Sequence, residues 1–197
     1  MGTRNLTCVF KDGEYKVAQY CQWDGYPSGQ GLTALNFLRI MERQTFEQKL
    51  SRVHFADDKE IQNLWVECGA DPKSDGVNLD VSNVFKKKYL HLHRDCGADI
   101  LTLIHDFNGE SMPLHNSLDF AYSSLFCEWC YVIDLDKNTF EVFKGFNKRK
   151  PGKNARFNDI ATTNLKGEYF TVRLKKKYAL DALPTDKEFL KQCGDEV

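Results

Sequence analysis

The chain has 197 residues, the length of one domain and too short for two ordinary ones. Hydrophobic residues make up 42% and aromatics 13%, with 14 Phe and 8 Tyr, so a sizeable core can be buried. Twenty-seven basic side chains stand against 28 acidic ones, a net charge of −1. A dedicated nucleic-acid binder carries a strong basic excess, so nucleic acid is not an expected partner.

Seven cysteines (Cys8, Cys21, Cys68, Cys96, Cys127, Cys130 and Cys193) are an odd count, and the first residues lack the apolar core of a secretory signal. Both facts predict free thiols in a reducing, cytoplasmic compartment. No apolar run approaches the roughly 18 residues needed to span a bilayer, so no membrane contact is expected. Leu6 stands where a myristoylation signal needs Ser or Thr.

In chain order, residues 5–10 and 15–23 alternate as two strands, and Lys11-Asp12-Gly13-Glu14 between them reads as a hairpin turn. A turn-rich stretch follows to Gly31. Ala34, Phe37, Leu38 and Met41 then mark the buried side of a helix over 33–42. Further helices are predicted near 45–54, 57–68 and 81–92, with a long loop at 69–80. The segment 98–107 reads as a helix, although so short an apolar run also suits a buried strand. Strands return at 126–135, 139–146 and 168–178, with a basic loop at 148–158. Thr185 is placed to N-cap a terminal helix. Strands at both ends of a helical block predict an α+β fold with a mainly antiparallel sheet.

The stretch with most chemical content is Gln22-Trp23-Asp24-Gly25-Tyr26-Pro27-Ser28-Gly29-Gln30-Gly31. It leaves a strand and enters a helix N-terminus, where backbone N–H groups are free to meet a carboxylate, a phosphate or an oxyanion. It has neither a Walker A sequence nor a dinucleotide fingerprint, so no cofactor is predicted. Asp24 among aromatic neighbours is the type of carboxylate whose pKa shifts at a site. Gln22, Trp23, Tyr26 and Gln30 are the candidate ligand contacts. The competing reading is a structural loop packed by Trp23 and Tyr26.

Hairpin pairing brings Thr3 and Arg4 back toward Gln22-Trp23-Asp24, which would gather a hydroxyl, a guanidinium and a carboxylate. Arg94 is a further candidate anion ligand, next to Asp95 as the expected cap of the following helix. Cys127-Glu128-Trp129-Cys130 falls in a strand, where residues three apart point to opposite faces, so it reads as structural. His91, His93 and Cys96 have the wrong spacing for a helical metal site, and no metal is predicted. Asn116 reads as a helix N-cap. Lys144, Lys148, Arg149, Lys150, Lys153 and Arg156, with Phe143, Phe146 and Phe157 nearby, read as a solvated basic loop.

The run from Tyr15 to Pro27 with Gly29-Gln30-Gly31 resembles a family of uncharacterised fungal, bacterial and phage proteins. Arg94-Asp95-Cys96-Gly97, Phe126-Cys127-Glu128-Trp129, Tyr131 to Asp136 and Leu180 to Thr185 look like its other recurring motifs. Cys21 departs from the glycine usual there. A second resemblance is to N-terminal nucleophile hydrolases, whose αββα fold opens with a small nucleophile on the first strand and places an Asp at the end of the second. That resemblance implies Thr3 as nucleophile, its freed amine as base, and Arg4 and Asp24 orienting a small-molecule or peptide amide. Removal of Met1 alone would expose Gly2, not Thr3. Two functional readings therefore stand: an amide-bond hydrolase or amidotransferase-like enzyme at the 22–31 loop, and a non-catalytic ligand-binding or protein-interaction module on the same scaffold. Neither fixes an oligomeric state.

Overall fold

The computed structural model describes residues 2–73, 76, 78–158 and 168–194. Strand β1 (Asn5–Lys11) turns through Asp12 and Gly13, both at positive φ, into β2 (Glu14–Cys21). The helical block follows: α1 (Leu32–Ile40), α2 (Arg43–Leu50), α3 (Asp58–Glu67), α4 (Leu79–Lys88) and α5 (Ile100–Asp106). Of two three-residue strands, β3 (Val53–Phe55) lies within it and β4 (Met112–Leu114) follows it. Strands β5 (Trp129–Asp134), β6 (Thr139–Lys144) and β7 (Arg173–Ala179) and helix α6 (Asp186–Cys193) complete the chain.

The main sheet has the order β2-β1-β5-β6-β7. Three of its pairings are antiparallel, and β1 runs parallel to β5. The fold is α+β. The parallel pair at the centre arises because the whole helical block separates β1–β2 from β5, long enough for a crossover that a hairpin cannot make. Asp136, in the β5–β6 turn, accepts hydrogen bonds from the Asp12 and Gly13 amides at 2.9 Å each and ties the two hairpin ends together. Those bonds hold its carboxyl below the usual range.

Period-two alternation gives the sheet two buried faces. On one, Val9, Val17, Tyr131, Ile133, Phe140 and Val142 pack under α1, α2, α5 and α6. On the other, Leu6, Cys8, Ala18, Cys130, Val132 and Phe143 meet Ala121, Tyr122, Phe157 and Val172, which come from loops and a short 3-10 helix at Leu118–Tyr122. Helices therefore cover one face and irregular chain the other. A satellite cluster of Cys68, Phe85 and Leu92 joins α3 to α4, with the Trp65 and Phe85 rings stacked 3.7 Å apart.

Several boundaries differ from the sequence expectation. The helix expected over 45–54 stops at Leu50, and Val53–Phe55 pairs in parallel with Met112–Leu114. Phe46, Leu50 and Val53 keep a helical period, and the tertiary pairing overrides it. The helix expected over 81–92 ends at Lys88, with a 3-10 turn at Leu90–Leu92. The strands expected from 126 and 168 begin at Trp129 and Arg173. The predicted 69–80 loop lies partly outside the described residues. Asp95 does not cap: the next turn starts at Gly97 with no side-chain cap bond. Thr185 does cap α6, in a reciprocal capping box with Glu188. All seven thiols are free and buried. Among the described residues no helix is long and apolar enough to cross a membrane, and no group of three metal-ligating side chains occurs.

Candidate functional site

The 22–31 loop sits on the helix-covered face. Tyr131, wholly buried in the sheet, donates its hydroxyl to the Gly25 carbonyl at 2.8 Å. The Gly25 amide donates to the Thr3 carbonyl at 2.9 Å. A Cβ at Gly25 would fall 2.6 Å from that Thr3 oxygen, so only glycine allows this close approach. Asp24 is in the left-handed region, φ 54°, and the Gln30 amide donates to its carbonyl at 2.8 Å. From Pro27 to Gly31 the chain makes one wide turn, with Gly31 N–H reaching the Tyr26 carbonyl five residues back.

This wide turn changes what the backbone can do. The sequence suggested free amides at the entrance to α1. In the structure the N–H groups of Gly25, Gly29, Gln30, Gly31 and Leu32 all donate to carbonyls of Thr3, Asp24, Tyr26, Pro27 or Gly29. None of these five is left to hold an oxyanion.

The predicted side chains divide into separate groups. Thr3 is buried, 6% exposed, and lines no cavity described for the protein. Gly2, just before it, lies against the Trp23 ring and the Gln22 carbonyl. Arg4 follows Thr3 just ahead of β1 and is half-buried. Its guanidinium lies 4.8 Å from the centre of the Phe126 ring. Of the expected gathering of Thr3, Arg4 and Asp24, the structure brings the Thr3 backbone to the loop, through the Gly25 amide, and sets the Arg4 guanidinium against Phe126.

Arg4 instead shares surroundings with Arg94. Burial pushes the Tyr20 phenol up, against the opposing fields of both guanidiniums. Tyr20 donates to the Gln22 side chain at 2.6 Å and stacks edge-on against Phe120. Gln22, Arg94 and Arg4 thus share the surroundings of Tyr20. Arg94 is exposed and lies 3.6 Å from Asp95.

The second group is smaller. Asp24, Tyr26, Ser28, Gly29, Gln30 and Thr33 line a hollow of about 370 Å³. Gln30 braces it: its side-chain oxygen accepts the Ala98 amide at 2.6 Å, packed against Gly97 at φ 56°. Trp23 and Tyr26 are about half exposed, at 47% and 50%. Asp24 is exposed, and among the described residues no hydrogen bond or ion pair engages its carboxylate.

Cys127 and Cys130 are wholly buried, and burial pushes both thiols well up, so neither is a nucleophile. Cys96 is likewise pushed up, to about 12, by burial and then by Asp99. His93 and Asp95 share a 440 Å³ cavity with it, yet a thiol so hard to ionise has no thiolate to offer.

A larger cavity lies elsewhere. It is a space of about 820 Å³ on the loop-covered face between the 147–157 segment and β7. Sequence reasoning treated 148–158 as a solvated loop and did not connect it with Arg173-Leu174-Lys175-Lys176-Lys177. A second lysine-rich run with strand character was the signal present. Arg156 forms the inner wall of this cavity and pairs with the buried carboxylates of Asp134 and, at 2.6 Å, Glu141. No protein-family model, curated protein or solved structure matches the chain, so what these sites do has to come from their own geometry.

Proposed function

We propose that the 22–31 loop is the recognition surface of a non-catalytic binding module, and that it takes a cationic group, an amine or guanidinium carried by a small molecule or peptide. The observation that carries this reading is the exposed Asp24 carboxylate, without a partner among the described residues and held by a left-handed backbone at the rim of the hollow with Tyr26 beside it. A carboxylate with an aromatic neighbour suits a cation, through charge and through the ring face. The braces around it (Gln30 on Ala98, Tyr131 on Gly25, Gly25 on Thr3) keep the site in one shape before a ligand arrives. The test is an NMR titration with lysine amide and arginine amide. Shifts should concentrate at residues 23–33 and vanish in Asp24→Asn. Shifts that survive that substitution, or that spread evenly over the surface, would refute the proposal.

The N-terminal nucleophile reading, with its αββα layering, is the second one. It is favoured by the 2.9 Å bond that sets the Thr3 backbone directly beside the loop. Against it stand the burial of Thr3, the internally satisfied amides and the packing of Arg4 on Phe126. Intact mass spectrometry separates the two. A mature chain starting at Thr3 would revive amide hydrolysis, whereas one retaining Gly2 leaves the threonine without an amine to activate it.

A further inference from the structure

The cavity beside β7 continues into a second hollow of about 620 Å³, and Arg149 and Arg173 line both. Six side chains around the first are Lys or Arg and one, Glu141, is acidic. Around the second, five are Lys or Arg and none is acidic. Glu141 is already neutralised by Arg156 and by Lys177 at 3.2 Å. Lys137, Arg149, Lys150, Arg173 and Lys175 have no ion-pair partner among the described residues. Two chain segments far apart in sequence thus bring unpaired cations to the two sides of one groove. A net charge near zero hides this, although among the described residues Glu141 is the one acid lining either hollow. Lysines on the outermost strand of a sheet also discourage strand addition. That role does not call for the arginines and lysine facing them from 149–150.

The second observation is Phe146. It stands at φ 53°, a conformation that a bulky residue rarely adopts, and its ring is 53% exposed in the second hollow. Its backbone is pinned there. Phe146 N–H donates to the Ser124 carbonyl at 2.7 Å, and Asn147 N–H to the Ser124 hydroxyl at 3.0 Å. The Asn147 amide nitrogen donates to the Arg149 and Thr171 carbonyls at 2.9 Å, and its oxygen accepts from Arg149 N–H at 3.0 Å. A saturated, buried asparagine therefore holds a strained loop that presents an apolar ring to water between cations.

We propose that this groove binds single-stranded nucleic acid, with the phosphates along Arg149, Arg173, Lys150 and Lys175 and a base stacked on Phe146. A cationic track with an aromatic platform is the arrangement that recognises unpaired strands, whose base faces are free. A duplex offers no open base face to the ring. An anionic membrane is flat, whereas the cations here line a recess.

The experiment is fluorescence anisotropy of the full chain with a labelled dT12 oligonucleotide across a salt series. Arg149→Gln with Arg173→Gln should weaken binding on the order of tenfold or more and flatten the slope of log K against log salt by about 0.7 per arginine removed. Phe146→Gly relaxes the backbone while deleting the ring. It should weaken binding on the order of tenfold with the salt slope unchanged, and thermal melting should show the fold kept. The proposal is overturned if dT12 does not bind at 50 mM salt, if the double variant keeps the parent slope, or if polyglutamate, a 12-base-pair duplex or phosphatidylserine vesicles bind as tightly as dT12.

Discussion

The 22–31 loop and the groove beside β7 are opposites in construction. The loop is one contiguous stretch, tied by backbone bonds, and it offers the exposed Asp24 carboxylate. The groove is assembled from residues near 149 and near 173 and offers several cations, unpaired among the described residues, around one exposed ring. Both place an unusual backbone angle at the point of exposure, Asp24 in one and Phe146 in the other. Asp reaches that region at modest cost and Phe does not, so more of the surrounding structure is committed to holding the groove's ring than the loop's acid.

The two regions should also differ in how much stability each carries. The largest effect should come from Arg156→Met, which leaves Asp134 and Glu141 buried without their shared partner. A loss of about 3–5 kcal/mol is expected in urea unfolding. The same pair sets an acid-side dependence. Burial pushes the Glu141 carboxyl up, but Arg156 and Lys177 pull it further down, below its ordinary value. Its contribution is complete above the unfolded pKa of about 4.3 and is lost as pH falls through the lower folded value. Unfolding midpoints measured between pH 6 and 3 should fall more steeply in the parent than in Arg156→Met, where Lys177 alone still pairs with Glu141.

Next in size is Gly25→Ala, whose Cβ would press on the Thr3 carbonyl and on Asn5. About 1–3 kcal/mol should be lost, read as a lower melting temperature. Gln30→Ala leaves the Ala98 amide without its acceptor. The expected cost lies toward the lower end of about 1–3 kcal/mol, because this half-buried position lets water take part of the role. Smallest is Asp24→Asn, within about 0.5 kcal/mol of the parent. A large loss there would make the carboxylate a structural group and break the contrast drawn above.

Much of the fold was legible because its signals are local. The Asp12-Gly13 turn, the apolar spacing of α1 and the Thr185–Glu188 cap all lie within a few residues of what they specify. The parallel pairing of β1 with β5, and of β3 with β4, was not, since nothing in either strand alone names its distant neighbour. The site divides the same way. The loop was found from its glycines, aromatics and acid. That its amides are spent on internal bonds depends on a wide turn that no periodicity announces. Arg4 was placed with Asp24 by proximity along the hairpin, and its partner in the structure, the Phe126 ring, lies far off in sequence. The groove escaped because its two sides are separated in sequence and the summed charge cancels elsewhere.

The seven buried thiols give the molecule a built-in map of its own opening. A reagent such as Ellman's can reach a sulfur only when the structure around it parts, so each labelling rate counts excursions of one neighbourhood. Cys68 lies in the small α3–α4 cluster, while Cys8, Cys127 and Cys130 lie against the central strands. Cys68 should react first and the sheet cysteines only when the whole domain comes apart.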